Sequence, residues 1–96
     1  GPNEGFGGYL LLQSEDGTVF RMGHFTEINS RVKGAVDSET WLPAGTYLGA
    51  TRERIGYSSG PHLHMEAFND YSMYQQRHNT NVHSRLSTDE MLGRLR

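Results

Sequence analysis

Cysteine is absent from the 96-residue chain, and this absence limits the chemistry available to it. Disulfides and thiolate zinc sites are excluded. Any bound metal must therefore be held by histidine, aspartate or glutamate side chains. The absence leaves the cellular compartment open, because many bacterial envelope proteins also lack cysteine.

The sequence also lacks a basic excess and a long apolar run. Nine basic and 11 acidic side chains give a formal charge of −2. Nucleic-acid binding needs a basic patch, so we expect no nucleic-acid partner. No stretch approaches the roughly 18 apolar residues of a membrane span, so we expect none. No signal peptide is visible.

Apolar residues are few, at 34% of the chain, whereas glycine is plentiful, with 12 residues. In one small domain this composition favours short strands and turns over packed helices. A core this thin suggests that another polypeptide segment completes it. Residues 1–4 open with Gly-Pro, which resembles a tag remnant or a linker.

Local patterns predict a β-hairpin near the start, with strands over 9–13 and 18–22 and Asp16-Gly17 at the turn. Further short strands are expected over 46–51 and 61–68. Pro43 and Gly45 argue against a regular helix through residues 26–45.

Residues 69–96 form a polar extension with one helix-start signal. Ser87 is followed three residues later by Glu90, which predicts a capped helix at the C-terminus. Met91, Leu92 and Leu95 would share one face of this helix. So short a helix is stable only if it packs on something.

The sequence "GPHLHMEAF", residues 60–68, places two histidines and a glutamate at alternate positions. In a strand His62, His64 and Glu66 point to the same side. Imidazole suits zinc, and a neighbouring carboxylate commonly orients a ligating ring. By itself a His-x-His pattern more often marks two surface histidines than a metal site, and both interpretations stay open on these residues alone.

The longer stretch "IGYSSGPHLHMEAF" resembles the C-terminal motif of the LytM/lysostaphin-type zinc endopeptidases, Thr-Gly-x-Ser-Thr-Gly-Pro-His-Leu-His-Phe-Glu. Upstream, "MGHF" is similar to the Tyr-x-His-Leu motif of that family, with His24 at the histidine position. "RVKGAV" and "PAGTYLG" are similar to the family segment between these motifs. The resemblance covers residues 5–68 and corresponds to the C-terminal half of the catalytic domain.

The resemblance implies a mainly β fold, a partial antiparallel sheet of the LytM type followed by a short C-terminal helix. It implies zinc as cofactor and hydrolysis of peptide cross-links in bacterial peptidoglycan by a zinc-activated water. It implies an extracellular, cell-envelope or phage-virion location. The roles that it assigns are His64 as zinc ligand and His62 and His24 as the catalytic pair. By position and chemistry, Glu66 is the candidate for the carboxylate behind the ligand, and Tyr57, in the loop before the motif, is the candidate for a substrate-groove residue.

Two further zinc ligands in the family come from a His-x-x-x-Asp motif upstream of the hairpin, and this motif does not occur in the chain. Three explanations stay open. An upstream segment or a partner chain completes the site. The chain is a degenerate binding, regulatory or structural module, for example in a phage tail or an envelope assembly. Or His78 or His83 replaces a ligand locally. Activity as a metalloendopeptidase depends on the first.

Overall fold

The computed structural model describes residues 8–38, 40–51 and 63–95. This part of the chain forms a small mixed fold of antiparallel sheets and short helices, which agrees with the mainly β expectation at that coarse level. Its elements are β1 (Gly8–Gln13), β2 (Val19–Phe25), β3 (Glu27–Ile28), α1 (Ser30–Ser38), β4 (Gly49–Ala50), β5 (His64–Phe68), α2 (Tyr71–Gln75) and α3 (Thr88–Arg94).

The strands form two sheets. The larger has the order β1-β2-β5, and the smaller pairs β3 with β4 in antiparallel register, Glu27 opposite Ala50 and Ile28 opposite Gly49. β2 is the central strand of the larger sheet. Most of its residues are buried, including consecutive ones, which is expected where both faces of a strand are covered.

The predicted hairpin turn between β1 and β2 is confirmed. The Ser14 amide donates to the Thr18 carbonyl at 2.9 Å, and Gly17 has the left-handed φ of 92° that the turn requires. The Asp16 carboxylate accepts from the Ser14 hydroxyl and from the Thr18 amide. These hydrogen bonds, the Ser14 one first, lower the pKa of Asp16 to about 2.

The expectation of no regular helix through residues 26–45 is wrong. Helix α1 begins at Ser30 and ends at Ser38, before Pro43, so the proline removes no helical hydrogen bond. Asn29 precedes the helix, and its side-chain oxygen lies 3.4 Å from the Arg31 amide that donates to it. Val32 is fully buried and anchors the helix.

The C-terminal helix is confirmed with its capping box. The Glu90 amide donates to the Ser87 hydroxyl at 3.2 Å, and the Ser87 amide donates to the Glu90 carboxylate at 3.0 Å. The Ser87 amide and hydroxyl together lower the pKa of Glu90. Leu92 and Leu95 remain about half exposed, so the apolar face predicted for α3 is not a buried face.

The remaining predicted strands are shorter than expected. β4 covers only Gly49–Ala50 of the predicted 46–51. β5 begins at His64, and residues 61 and 62 lie outside the described residues. α2 has no counterpart among the predicted elements; the Asp70 carboxylate caps it by accepting from the Met73 amide at 2.9 Å.

The chain divides into two compact units. The first unit comprises residues 1–9 and 23–63, and the second unit comprises 10–22 and 64–96. In the first unit Phe25 and Val32 are buried. The core of the second unit consists of Leu10, Val19, Phe20, Met22, Ala67 and Phe68.

The segment that follows β5 belongs to the second unit and forms hydrogen bonds with other residues of that unit. The Leu86 amide donates to the Ala67 carbonyl at 2.8 Å, next to an antiparallel bridge between Phe68 and Arg85. At the end of α3, Arg94 donates to the buried Thr18 hydroxyl at 2.8 Å and to the Asn69 side chain at 3.0 Å. Arg94 therefore ties the end of α3 to Thr18 and Asn69 of the second unit.

The β3–β4 pair depends on the missing side chain of Gly49. A Cβ atom there would lie 2.0 Å from the Glu27 carbonyl oxygen and 3.1 Å from the Ile28 Cα. Both are backbone atoms of the paired strand, so they cannot move without breaking the register. We expect Gly49→Ala to lower the free energy of unfolding by about 1–3 kcal/mol, measured by urea denaturation.

The control for this prediction is Gly34→Ala. Gly34 lies in α1, and nothing lies within 4 Å of a Cβ built there. Alanine at this position should raise the free energy of unfolding by about 0.5–1 kcal/mol, because it has the higher helix propensity. Equal stability of the Gly49→Ala variant and the wild type would contradict the strand pairing.

Candidate functional site: a buried carboxylate beside His64

Glu66 is a buried carboxylate in β5 that three side chains of the second unit surround. Arg21 Nη1 donates to Glu66 Oε1 at 3.0 Å, and Arg85 Nη2 lies 2.5 Å from Oε2. His64 Nε2 lies 3.4 Å from Oε1. We call these four residues, Arg21, His64, Glu66 and Arg85, the Glu66 cluster.

Backbone structure explains how the cluster assembles. His64 and Glu66 are two residues apart in β5, so strand alternation places both side chains on one side. Arg21 comes from β2, which neighbours β5 in the sheet. Arg85 is held beside β5 by its bridge to Phe68. The three partners of the carboxylate therefore come from three different segments: β2, β5 and the extension after β5.

The cluster runs from the interior to solvent. The exposed fraction of the side chain is 9% for Glu66, 18% for Arg21, 48% for His64 and 60% for Arg85. A buried carboxylate needs compensation of its charge, and the two guanidinium groups supply it through charge-assisted hydrogen bonds. Glu66 is therefore a structural carboxylate that two guanidinium groups hold in the interior.

The geometry bears on what His64 can do. A carboxylate facing one ring nitrogen fixes the orientation and the tautomer of an imidazole. With Nε2 facing Glu66, a metal would bind the ring through Nδ1. The half-exposed ring and the carboxylate behind it therefore fit one zinc ligand with its supporting acid, as the motif predicts for this pair.

His24 has an unusual backbone. It lies in β2, half-buried, with φ at 69°, and it is the only residue besides glycine with a positive φ in the described ranges. A left-handed conformation costs an ordinary residue about 1–2 kcal/mol. Residues kept in such conformations concentrate at active sites. The buried Gly23 and Phe25 flank His24 in the sequence.

The other predicted site residues are distributed as follows. His24 belongs to the first unit, and His64 and Glu66 lie together in the second. His62 and Tyr57 fall outside the described residues. His78 and His83 line a groove in the second unit. Within residues 8–38, 40–51 and 63–95, no group of three or more His, Cys, Asp or Glu side chains is placed to hold a metal ion.

The two arginines of the cluster were not predicted as site residues. Arg21 had a usable signal, since a charged residue between Phe20 and Met22 in an apolar strand needs a partner when buried. The sequence contains no such signal for Arg85, because its position follows from a tertiary bridge between the extension and β5.

No protein-family model, curated protein or solved structure matches this chain. The likeness to the LytM-type endopeptidases therefore depends on the sequence motifs. Separately, none of the helices in the described part is long and apolar enough to cross a membrane.

Proposed function

We propose that this chain is the C-terminal half of a LytM-type zinc endopeptidase domain that hydrolyses peptide cross-links of bacterial peptidoglycan. The observation that carries the proposal is the pairing of His64 with a buried acid. His64 is the residue that the motif assigns to the metal, and its Nε2 lies 3.4 Å from the Glu66 carboxylate.

The roles follow from the resemblance to the family motifs. His64 would be one zinc ligand and Glu66 the acid that orients it. A catalytic zinc needs about three protein ligands, so the others would come from an upstream segment or a partner chain. Zinc, when bound, supplies Lewis acidity and an acidified water. His24 and His62 would position or deprotonate that water and stabilise the developing oxyanion.

The left-handed backbone of His24 supports its catalytic role, since the motif selects the same residue independently. We also propose the finer fold, a partial LytM-type sheet. The location that we propose is extracellular, in the cell envelope or in a phage virion.

The test uses the chain together with the segment or partner chain that would complete the zinc site. Zinc is measured by plasma mass spectrometry and equilibrium titration, and hydrolysis is measured on purified peptidoglycan. We expect His64→Ala to weaken zinc binding by more than about 100-fold, beyond the 10–100-fold typical of losing an orienting acid. Hydrolysis should be lost in parallel.

The matched control is His78→Ala, which removes another exposed histidine of the second unit that is not part of the Glu66 cluster. This variant should keep its zinc and its rate. Unchanged zinc affinity in His64→Ala would refute the ligand assignment. A wild-type protein that binds peptidoglycan but holds no zinc and cuts nothing would instead be the degenerate binding module.

A further inference from the structure

A groove of about 400 Å³ lies in the second unit, along residues 77–87 between α2 and α3. We call it the 77–87 groove. Its described lining contains two arginines and two histidines and no acidic residue. Arg77 and Arg85 are the permanent cations, and His78 and His83 add ring N–H donors. Hydroxyl and amide groups supply most of the remaining polar lining.

Both guanidinium groups are held in place before any ligand binds. The Arg77 guanidinium carbon lies 4.2 Å from the centre of the Tyr74 ring, and its Nη1 donates to the Tyr74 carbonyl at 3.1 Å. Arg85 is held through Nη2 on the Glu66 carboxylate. A guanidinium carries five N–H donors, so each arginine keeps further donors for a ligand. Fixing side chains in advance reduces the entropy cost of binding.

The two neighbouring carboxylates, Glu66 and Glu90, already have partners within the protein. Glu66 is shared between Arg85 and Arg21, so these three groups sum to one positive charge. The Glu90 carboxylate accepts from the Ser87 amide, and its charge interacts with His83. Because Glu90 lies close enough to His83 to interact with it, the attraction for an anion depends mainly on Arg77 and Arg85.

We propose that the 77–87 groove binds an oxyanion, a carboxylate or a phosphate group, through Arg85 and Arg77. Planar guanidinium groups match the geometry of both anions and bind them with two parallel hydrogen bonds. The groove adjoins the Glu66 cluster through Arg85, but neither arginine is a predicted zinc ligand or catalytic residue. It gives the polar extension, which the family resemblance does not cover, a binding role.

The experiment titrates the full chain with inorganic phosphate and with a short peptide that ends in a free carboxylate. Binding is followed by amide chemical shifts at low salt. Saturable shifts centred on residues 77–87 are expected. Arg77→Gln should weaken binding at least tenfold. Arg85→Lys keeps the charge beside Glu66 but removes the bidentate geometry, and it should also weaken binding by about tenfold.

The charge-matched control is Arg31→Gln, which removes an exposed arginine of α1 in the first unit and should leave the affinity unchanged. A peptide with an amidated C-terminus separates the sources. Response to phosphate alone identifies a phosphate site, and response to the acid peptide but not its amide identifies a carboxylate site. Equal binding of acid and amide, no saturable shift with either probe, or equal loss in Arg31→Gln would overturn the proposal.

Discussion

Glu66→Leu is expected to lower the free energy of unfolding by about 3–5 kcal/mol, because it removes the acid of a buried ion pair. The Arg21 side chain is only 18% exposed and would lose the carboxylate that its Nη1 contacts at 3.0 Å. Leucine has a similar volume, so the loss measures the missing charge rather than a cavity. Urea denaturation at pH 7 gives the value directly, and a loss below about 1 kcal/mol would show that the cluster contributes little.

Two further variants separate the partners of Glu66. Arg85 is 60% exposed, so Arg85→Gln should cost no more than about 1 kcal/mol. The double variant Glu66→Leu with Arg21→Leu removes both buried charges and should recover much of the loss. A double variant no more stable than Glu66→Leu alone would mean that Arg21 is not the residue that the buried acid compensates.

Glu66 also links stability to the proposed site through His64. The Glu66→Gln variant keeps the shape and one acceptor oxygen but removes the charge that orients the imidazole. The structural and orienting contributions can then be read separately, by denaturation and by zinc titration. An acid that serves only Arg21 and Arg85 would leave zinc binding unchanged in this variant.

The elements that the sequence predicted well are those set by neighbouring residues. Asp16 and Gly17 form their turn through contacts four residues apart or fewer, and Ser87 and Glu90 cap α3 from three residues apart. Such interactions are visible as short patterns. Helix α1 differs from the expectation for residues 26–45. A proline excludes only a helix that runs through it, and α1 ends at Ser38, before Pro43.

The Glu66 cluster shows the limit of local patterns. Strand alternation correctly predicted that His64 and Glu66 share a side. The burial of Glu66 depends on Arg21, 45 residues away, and on Arg85, which a bridge between the extension and β5 brings in. Neither contact follows from spacing. The left-handed φ of His24 likewise does not follow from spacing, although the motif singled out the residue.

Because of that backbone conformation, we expect a substitution of His24 to change activity and stability in opposite directions. Glycine adopts a positive φ without the steric cost that histidine bears at 69°. We therefore expect His24→Gly to raise the free energy of unfolding by about 1 kcal/mol. If the proposed hydrolytic site is completed by a further segment or a partner chain, the same variant of the complete protein should lose about 10²–10⁴-fold in hydrolysis rate, the usual contribution of a general acid or base.

His24→Asn is the matched control, because asparagine tolerates the left-handed region but offers no titrating ring. It should be as stable as the wild type and as inactive as the glycine variant. Zinc content should stay constant in both variants, which distinguishes a catalytic histidine from a ligand. A destabilised glycine variant would mean that the packing of the His24 side chain, rather than catalysis, accounts for its left-handed backbone. Stability gained together with activity lost would show that the strain is kept for function.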